Sequence, residues 1–279
     1  MDRSLYAHAL RSHRLDADAP LPRDGYPFPD QDAHPRLWVT PRPADPRLEG
    51  VDVAAALDRH LAEKSFHGLN VPRYRNDHIA AAALRGDREL VRAAGRRLVR
   101  HGTDRCDVTV GLALLAADDA AEDVPLIQTI GLLSDHFGGL AAEALSRRPG
   151  AERSLLWLAQ RSAGWGRVHV IDAICRLGVG ESRDWLLRHA CQKGDYLAGH
   201  YAYRVATAAH LHEAITRDDA DDALVDHTGR LLRAMTELPG MGPALADYPP
   251  GAAVMEAWAG HVARRPSHAA GPDGLGSRS

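Results

Sequence analysis

Cysteine is scarce in this chain of 279 residues, which contains only Cys106, Cys175 and Cys191. An odd number of cysteines without a Cys-x-x-Cys pair excludes both a closed disulfide framework and a zinc ribbon. Because free cysteine is among the most commonly buried residue types, we expect these three thiols to lie in the interior. A chain of this length can bury a sufficient core without such cross-links.

A strong charge of one sign and a long apolar run are also missing. The chain has 34 basic and 37 acidic residues, a net charge of −3 that creates no overall attraction to nucleic acid or to an anionic membrane. No stretch of 18 apolar residues occurs, and no apolar segment follows residues 1–5, so we expect no membrane partner and a cytoplasmic location.

Sequence motifs for nucleotide and acyl chemistry are absent. There is no G-x-x-x-x-G-K-[ST] loop, no G-x-G-x-x-G after a strand and no G-x-S-x-G nucleophile elbow. The stretch richest in possible metal ligands contains His189, Cys191, His200, His210 and His212. Residues two apart lie roughly 200° around a helix axis, so neighbouring members of this set cannot chelate one ion together. We therefore predict no cofactor, no metal site and no catalytic residue, and the sequence names no reaction.

Proline is concentrated near the N-terminus, where residues 20–46 contain eight prolines, a density that excludes helix and disfavours strand. We predict that residues 1–50 form a proline-rich N-terminal arm. Its apolar side chains, Phe28 and Trp38 among them, favour docking on the protein's own body over docking on a partner. Residues 266–279 are rich in Gly and Ser and are expected to form a disordered tail.

The chain between the arm and the tail, residues 51–265, has helical patterning and almost no strand signal. Residues 108–117 are apolar but rich in alanine, so we predict a buried helix there. The acidic run at residues 218–222 is expected to start a helix, because negative charge is favoured at a helix N-terminus. A last helix is predicted near residues 251–264.

An internal similarity recurs at about 29 residues. Ala142-Glu143-Ala144-Leu145-Ser146-Arg147 aligns with Ile171-Asp172-Ala173-Ile174-Cys175-Arg176. Periods of 20–50 residues are typical of stacked helix pairs, since one pair cannot bury its apolar face alone. The sequence thus predicts an all-α protein of about six stacked helix pairs.

Three short segments, Trp165-Gly166-Arg167-Val168-His169, Asp184-Trp185-Leu186-Leu187-Arg188 and Tyr196-Leu197-Ala198, resemble a group of uncharacterised bacterial proteins. Those proteins are built from HEAT-like (armadillo-type) helical repeats, and the resemblance covers roughly residues 120–215. It implies a short right-handed α-solenoid with a concave surface and no assigned reaction.

A polar and aromatic set remains that the core does not obviously need. We predict that these side chains bind a protein or peptide partner on the concave face, with the aromatics as anchors and the arginines as carboxylate binders. The set consists of Trp165, Arg167, His169, Trp185, Arg188, His200 and Arg204. The competing interpretation is that the tryptophans pack between repeats while Arg167 and the histidines cap carbonyls or form salt bridges.

Two other functions stay open beside a non-catalytic interaction protein. An enzyme could use a pocket between repeats, with His169 as base and Asp172 as its orienting partner at i,i+3. A DNA-binding or DNA-repair module could use a stripe of arginines at helical spacing, for which a solvated surface is the simpler explanation. The stripe comprises Arg85, Arg88, Arg92 and Arg96.

Overall fold

The computed structural model describes residues 3–15, 28, 83–84, 87–238 and 240–265. These parts of the chain contain twelve α-helices, three short 3₁₀ turns and no strand, which confirms the all-α prediction. The described residues do not include most of the predicted arm or the tail at 266–279. They also leave out most of residues 51–86, and Arg85 with them. The helices are α1 Leu5–Leu15, α2 Arg88–His101, α3 Arg105–Ala116, α4 Val124–Gly131, α5 Ser134–Ser146, α6 Ala151–Ala159, α7 Gly164–Leu177, α8 Arg183–His189, α9 Ala202–Ala208, α10 Leu211–Ile215, α11 Asp222–Glu237 and α12 Gly251–Arg264.

Three predicted helices occur where the sequence places them. Helix α3 begins after Asp104, whose side chain accepts a hydrogen bond from the Cys106 backbone N–H, and it is buried on nearly all sides. Helix α11 begins after Asp221, whose carboxylate accepts from the Leu224 N–H at 2.8 Å, as expected for the acidic run. Helix α12 has the predicted bounds.

The helices pack in two connected series. Helices α2, α4 and α6 contact one another in that order, and α3, α5, α7, α9 and α11 do the same in a second series. Pairs of consecutive helices, such as α2 with α3 and α6 with α7, join the two series. One apolar core extends between them from Leu5 in α1 to Val254 in α12. The second series contains α7 and α9, which position the site described below.

Helices α5 and α7 approach each other through glycine. A Cβ atom on Gly138 would lie 2.6 Å from the Cα of Gly166, and one on Gly166 would lie 2.1 Å from the carbonyl oxygen of Ser134. The Ser134 hydroxyl donates to the Ala163 carbonyl at 3.0 Å and fixes the same crossing. Residues with a side chain would separate the two helices, so this contact depends on glycine.

Buried and half-buried arginines bind the carbonyl groups at helix ends. Arg148 donates to the carbonyl of Leu115 at 2.9 Å and to that of Ala120 at 3.2 Å, which connects α5 to the end of α3. Burial lowers the pKa of Arg148 from its ordinary value. Arg183 and Arg230 make similar bonds to the carbonyls of Ala209 and Cys191. Such bonds satisfy carbonyls that a helix leaves without an internal partner.

The N-terminal region contains a helix that the sequence analysis did not predict. Helix α1 buries Leu5 and Ala9 against α2 and α4, although it lies within the region assigned to the arm. The Leu5 N–H donates to the Gly102 carbonyl at 2.9 Å. Farther along, Phe28 packs against Phe137 with the Arg105 guanidinium 4.2 Å from its ring centre, so at this residue the arm contacts the helical body.

Candidate functional site

One side of α7 carries a polar stripe of Trp165, His169, Asp172 and Arg176 at positions i, i+4, i+7 and i+11. This spacing places the four side chains on one face of the helix. The other sides are buried against neighbouring helices. Their apolar core residues are Val168, Val170, Ile171, Ala173 and Ile174. The stripe is therefore the side of α7 that remains accessible.

Trp165 and His200 form the first contact between this stripe and the neighbouring helical segment. Their ring centres are 4.6 Å apart, and Trp165 keeps 39% of its surface exposed. His200 ends the 3₁₀ turn that precedes α9, while His169 lies beneath, 6.3 Å from Trp165 between ring centres. A Cβ on Gly139 of α5 would be 3.2 Å from the His169 ring, so glycine leaves the space for this imidazole. Burial lowers the pKa of His169, which keeps it neutral at pH 7.

Asp172 forms the second contact, because its carboxylate bonds to arginines from two helices. Arg204 of α9 donates to Oδ1, and the Nε atom of Arg176 lies 3.4 Å from Oδ2. The Arg176 and Arg204 side chains remain 59% and 52% exposed, respectively. We call Trp165, His169, Asp172, Arg176, His200 and Arg204 the α7–α9 face.

The cysteine beside this face is not a nucleophile. Burial raises the pKa of the Cys175 thiol to about 12, and the charge of Asp172 acts in the same direction. Thiolate is the reactive form, so Cys175 is inert at neutral pH. Cys175 and Cys106 are only partly buried, whereas Cys191 is buried as expected, and burial raises the pKa of Cys191 to about 11.

Four of the seven predicted partner-binding residues belong to this face, namely Trp165, His169, His200 and Arg204. The prediction that Arg167 is available to a partner is wrong, because this residue is only 2% exposed. Its guanidinium donates to the carbonyls of Ala159, His189 and Ala190 at 2.5, 3.0 and 2.9 Å. The competing interpretation, in which Arg167 caps carbonyl groups, describes the structure.

Trp185 and Arg188 lie elsewhere, on α8. The half-buried Trp185 ring stands 5.3 Å from the Arg167 guanidinium carbon. Arg188 donates to Asp221 at 2.8 and 2.9 Å and to Asp184, and the bond to Asp221 raises the pKa of Arg188. Because Asp221 also caps α11, this arginine joins α8 to the start of α11. Partner binding by Trp185 and Arg188 stays a prediction.

A buried polar junction connects α7, α8 and α11, and no sequence motif indicated it. His227 of α11 accepts a hydrogen bond from the Cys191 N–H at 2.8 Å through Nε2. The Tyr201 hydroxyl donates to Asp195 at 2.5 Å. Burial lowers the pKa of His227 to about 3, and nearby arginines contribute. His227 is therefore neutral at pH 7 and acts as a structural acceptor.

Asp172, the predicted orienting partner of His169, also lies between two arginines. Its carboxylate oxygens face Arg204 on one side and Arg176 on the other. Burial lowers the pKa of His169, and the charge of Asp172 acts in the opposite direction. Asp172 pairs with Arg176 four residues later along the helix, and Glu143 pairs in the same way with Arg147 at 3.2 Å.

The arginine stripe of α2 is occupied by acidic partners in its described part. Arg92 donates from Nε to Asp118 at 2.6 Å, and Arg88 binds the same carboxylate at 2.9 Å. Arg96 donates from Nε to Asp123 at 2.6 Å and also binds Glu122. Asp118 has a pKa held well below its usual range by its bond to Arg92. These arginines join α2 to the loop before α4, an arrangement that does not leave a free basic surface for phosphates.

The described ranges also show how possible metal ligands and apolar helices are arranged. There, no group of three or more His, Cys, Asp or Glu side chains converges as a metal site would require. None of the helices in these ranges combines the length and apolar character needed to span a bilayer. No family model, curated protein or solved structure matches the chain.

Proposed function

We propose that this protein is a non-catalytic interaction module that binds a protein or peptide partner on the α7–α9 face. The observation that carries the proposal is an exposed tryptophan and two exposed arginines held in place by contacts across two helices. Tryptophan and arginine dominate binding energy at protein interfaces. Side chains already ordered in the free protein lose less conformational entropy when a partner binds.

The proposal includes a short solenoid of HEAT-like repeats with this face on its concave side. In both helix series, each helix packs against the helix two positions farther along the chain, and this packing supports the proposal. The internal similarity at about 29 residues supports it as well. Bonds that join successive units connect residues at comparable separations. Ser134 and Ala163 are 29 residues apart, Arg153 and Glu181 are 28 apart, and Asp172 and Arg204 are 32 apart. Stacked repeats commonly bind partners along an extended concave surface.

A cytoplasmic location completes the proposal. None of the three cysteines forms a disulfide, a state typical of reducing compartments. The near balance of 34 basic and 37 acidic residues suits a protein partner better than a nucleic acid.

The test is a selection of random peptides displayed against the folded full-length chain, followed by affinity measurements on the enriched peptides. We expect Trp165→Ala to weaken their binding by about tenfold or more, as for an interface anchor. The matched control is Arg153→Ala, which removes an exposed ion pair with Glu181 away from the face. Equal affinities for the wild type and Trp165→Ala would exclude the face as the binding site, provided that circular dichroism shows both proteins folded.

A further inference from the structure

We propose that the partner segment is an extended acidic peptide whose carboxylate side chain lies about three residues from an aromatic or large apolar one. The carboxylate binds Arg176 and Arg204, and the apolar side chain packs on Trp165 and His200. This inference rests on the proposed function and specifies the chemistry of the partner at the same face.

The charge of the face is the first argument. Along the second helix series, Glu143 of α5 pairs with Arg147 and Asp172 of α7 pairs with Arg176, so the two charges of each pair balance. The next helix, α9, contains no acidic residue, and Arg204 reaches back to Asp172. One carboxylate thus serves two guanidinium groups. The set carries one excess positive charge.

The donors of these two arginines are the second argument. A guanidinium has five N–H groups, and the bonds to Asp172 use Nη1 of Arg204 and the Nε side of Arg176. Since both side chains are more than half exposed, further donors face the solvent. Arginine binds carboxylates through paired, charge-assisted hydrogen bonds, so these donors suit a carboxylate from a partner. Asp172 restrains both guanidinium groups before binding.

The single excess charge favours a carboxylate over a phosphate. A carboxylate carries one negative charge, whereas a phosphorylated side chain carries nearly two at pH 7. The second charge would find no balancing cation among these groups and would lie close to Asp172. We therefore commit to an aspartate or glutamate side chain in the partner.

The spacing follows from the two contacts along α7. Trp165 and Asp172 are seven residues apart, which corresponds to about 10 Å at a rise of about 1.5 Å per residue. An extended peptide rises about 3.3 Å per residue, so about three residues cover this distance. The neutral His169 lies between the two ends and requires no charged group in the partner.

The experiment compares labelled synthetic peptides by fluorescence anisotropy with the full-length protein. One peptide has Glu three residues from Phe, a second has Lys in place of Glu, a third has phosphoserine there, and a fourth moves Glu next to Phe. We expect the first to bind about tenfold more tightly than the others. Arg204→Met and, independently, Arg176→Met should remove most of this preference, whereas Arg153→Met should preserve it.

The outcomes separate this inference from the proposed function. Peptides from the random selection that depend on Trp165 but show no acidic preference would overturn the inference and leave the proposed function standing. A preference for the phosphorylated peptide, or for adjacent Glu and Phe, would overturn the carboxylate or the spacing. A failure to obtain any Trp165-dependent peptide would overturn both.

Discussion

Arginine occurs in two contrasting environments on the same helix. Arg176 lies on the α7–α9 face, more than half exposed and bonded to one carboxylate. Arg167, nine residues earlier, lies in the interior with its donors on backbone carbonyls. Residue type and helical spacing therefore do not distinguish an exposed arginine from a buried one. The burial of each arginine depends on which side of α7 the neighbouring helices cover.

The largest expected effect comes from removing the interior arginine. Arg167→Met should destabilise the protein by about 3–5 kcal/mol, because it leaves several buried carbonyls without donors. Urea denaturation followed by circular dichroism measures this change. A loss below about 1 kcal/mol would show that water replaces the guanidinium and that the two arginine environments differ less than their burial indicates.

The glycine contact between α5 and α7 allows a test of how closely these two helices pack. Gly166→Ala should cost about 3 kcal/mol, since the new Cβ would overlap the Ser134 carbonyl. The matched control is Gly260→Ala in α12, where the added Cβ would meet no other side chain or helix of the described residues within 4 Å. That change should stabilise the protein by up to about 1 kcal/mol through helix propensity. Thermal unfolding of both variants measures these changes in stability. Similar shifts in Tm for the two variants would contradict the close approach of α5 and α7.

The buried junction predicts a pH dependence of stability. The pKa of His227 is about 3 in the folded chain, below the ordinary value of about 6.5 expected after unfolding. The stabilisation is complete above pH 6.5 and is lost as the pH falls toward 3, because only the unfolded chain takes up the proton. Between pH 7 and pH 4.5 the loss from this group should be about 2–3 kcal/mol.

Urea denaturation across this pH range measures the slope for the wild type and for His227→Gln, whose amide oxygen can still accept from Cys191. The variant should show a shallower decline at pH values below 6.5. Parallel slopes would mean that His227 does not control the acid sensitivity, and that another carboxylate or imidazole does.

The smallest expected effect on stability comes from the exposed arginines. Arg204→Met should change the free energy of unfolding by less than about 1 kcal/mol, as is typical for an exposed ion pair. The same variant should lose the preference for acidic peptides. A large destabilisation by Arg204→Met would place this residue with Arg167 as a structural arginine and would remove the distinction between the two environments.

The all-α class and several of the helices were predictable from local sequence patterns. Residues 108–117 were expected to form a buried helix because alanines interrupt an apolar run, and α3 covers most of them. Asp221 was expected to lie at a helix start, and it caps α11. Helix α1 was missed because the proline-rich segment that follows it led us to assign all of residues 1–50 to an arm.

The candidate site was predictable only in part. The i, i+4, i+7 spacing of Trp165, His169 and Asp172 predicts that they share one side of α7. This part of the face could therefore be read from the sequence. The role of Arg167 could not be read from spacing, because its acceptors include carbonyls at the end of α8, 22 and 23 residues later. Arg176 follows from the same spacing at i+11, but the bond from Arg204 to the Asp172 carboxylate does not, because these two residues are 32 positions apart.

By itself the sequence determined the all-α class, the bounds of several helices and the acid–base pairs within them. Each of these depends on residues within about four positions of one another, where backbone geometry fixes the neighbours. The tertiary structure alone decided which arginines are buried, which carbonyls they bind and that Trp165 meets His200 across two helices. Most of those contacts join residues more than twenty positions apart, and packing selects among the partners that local geometry permits.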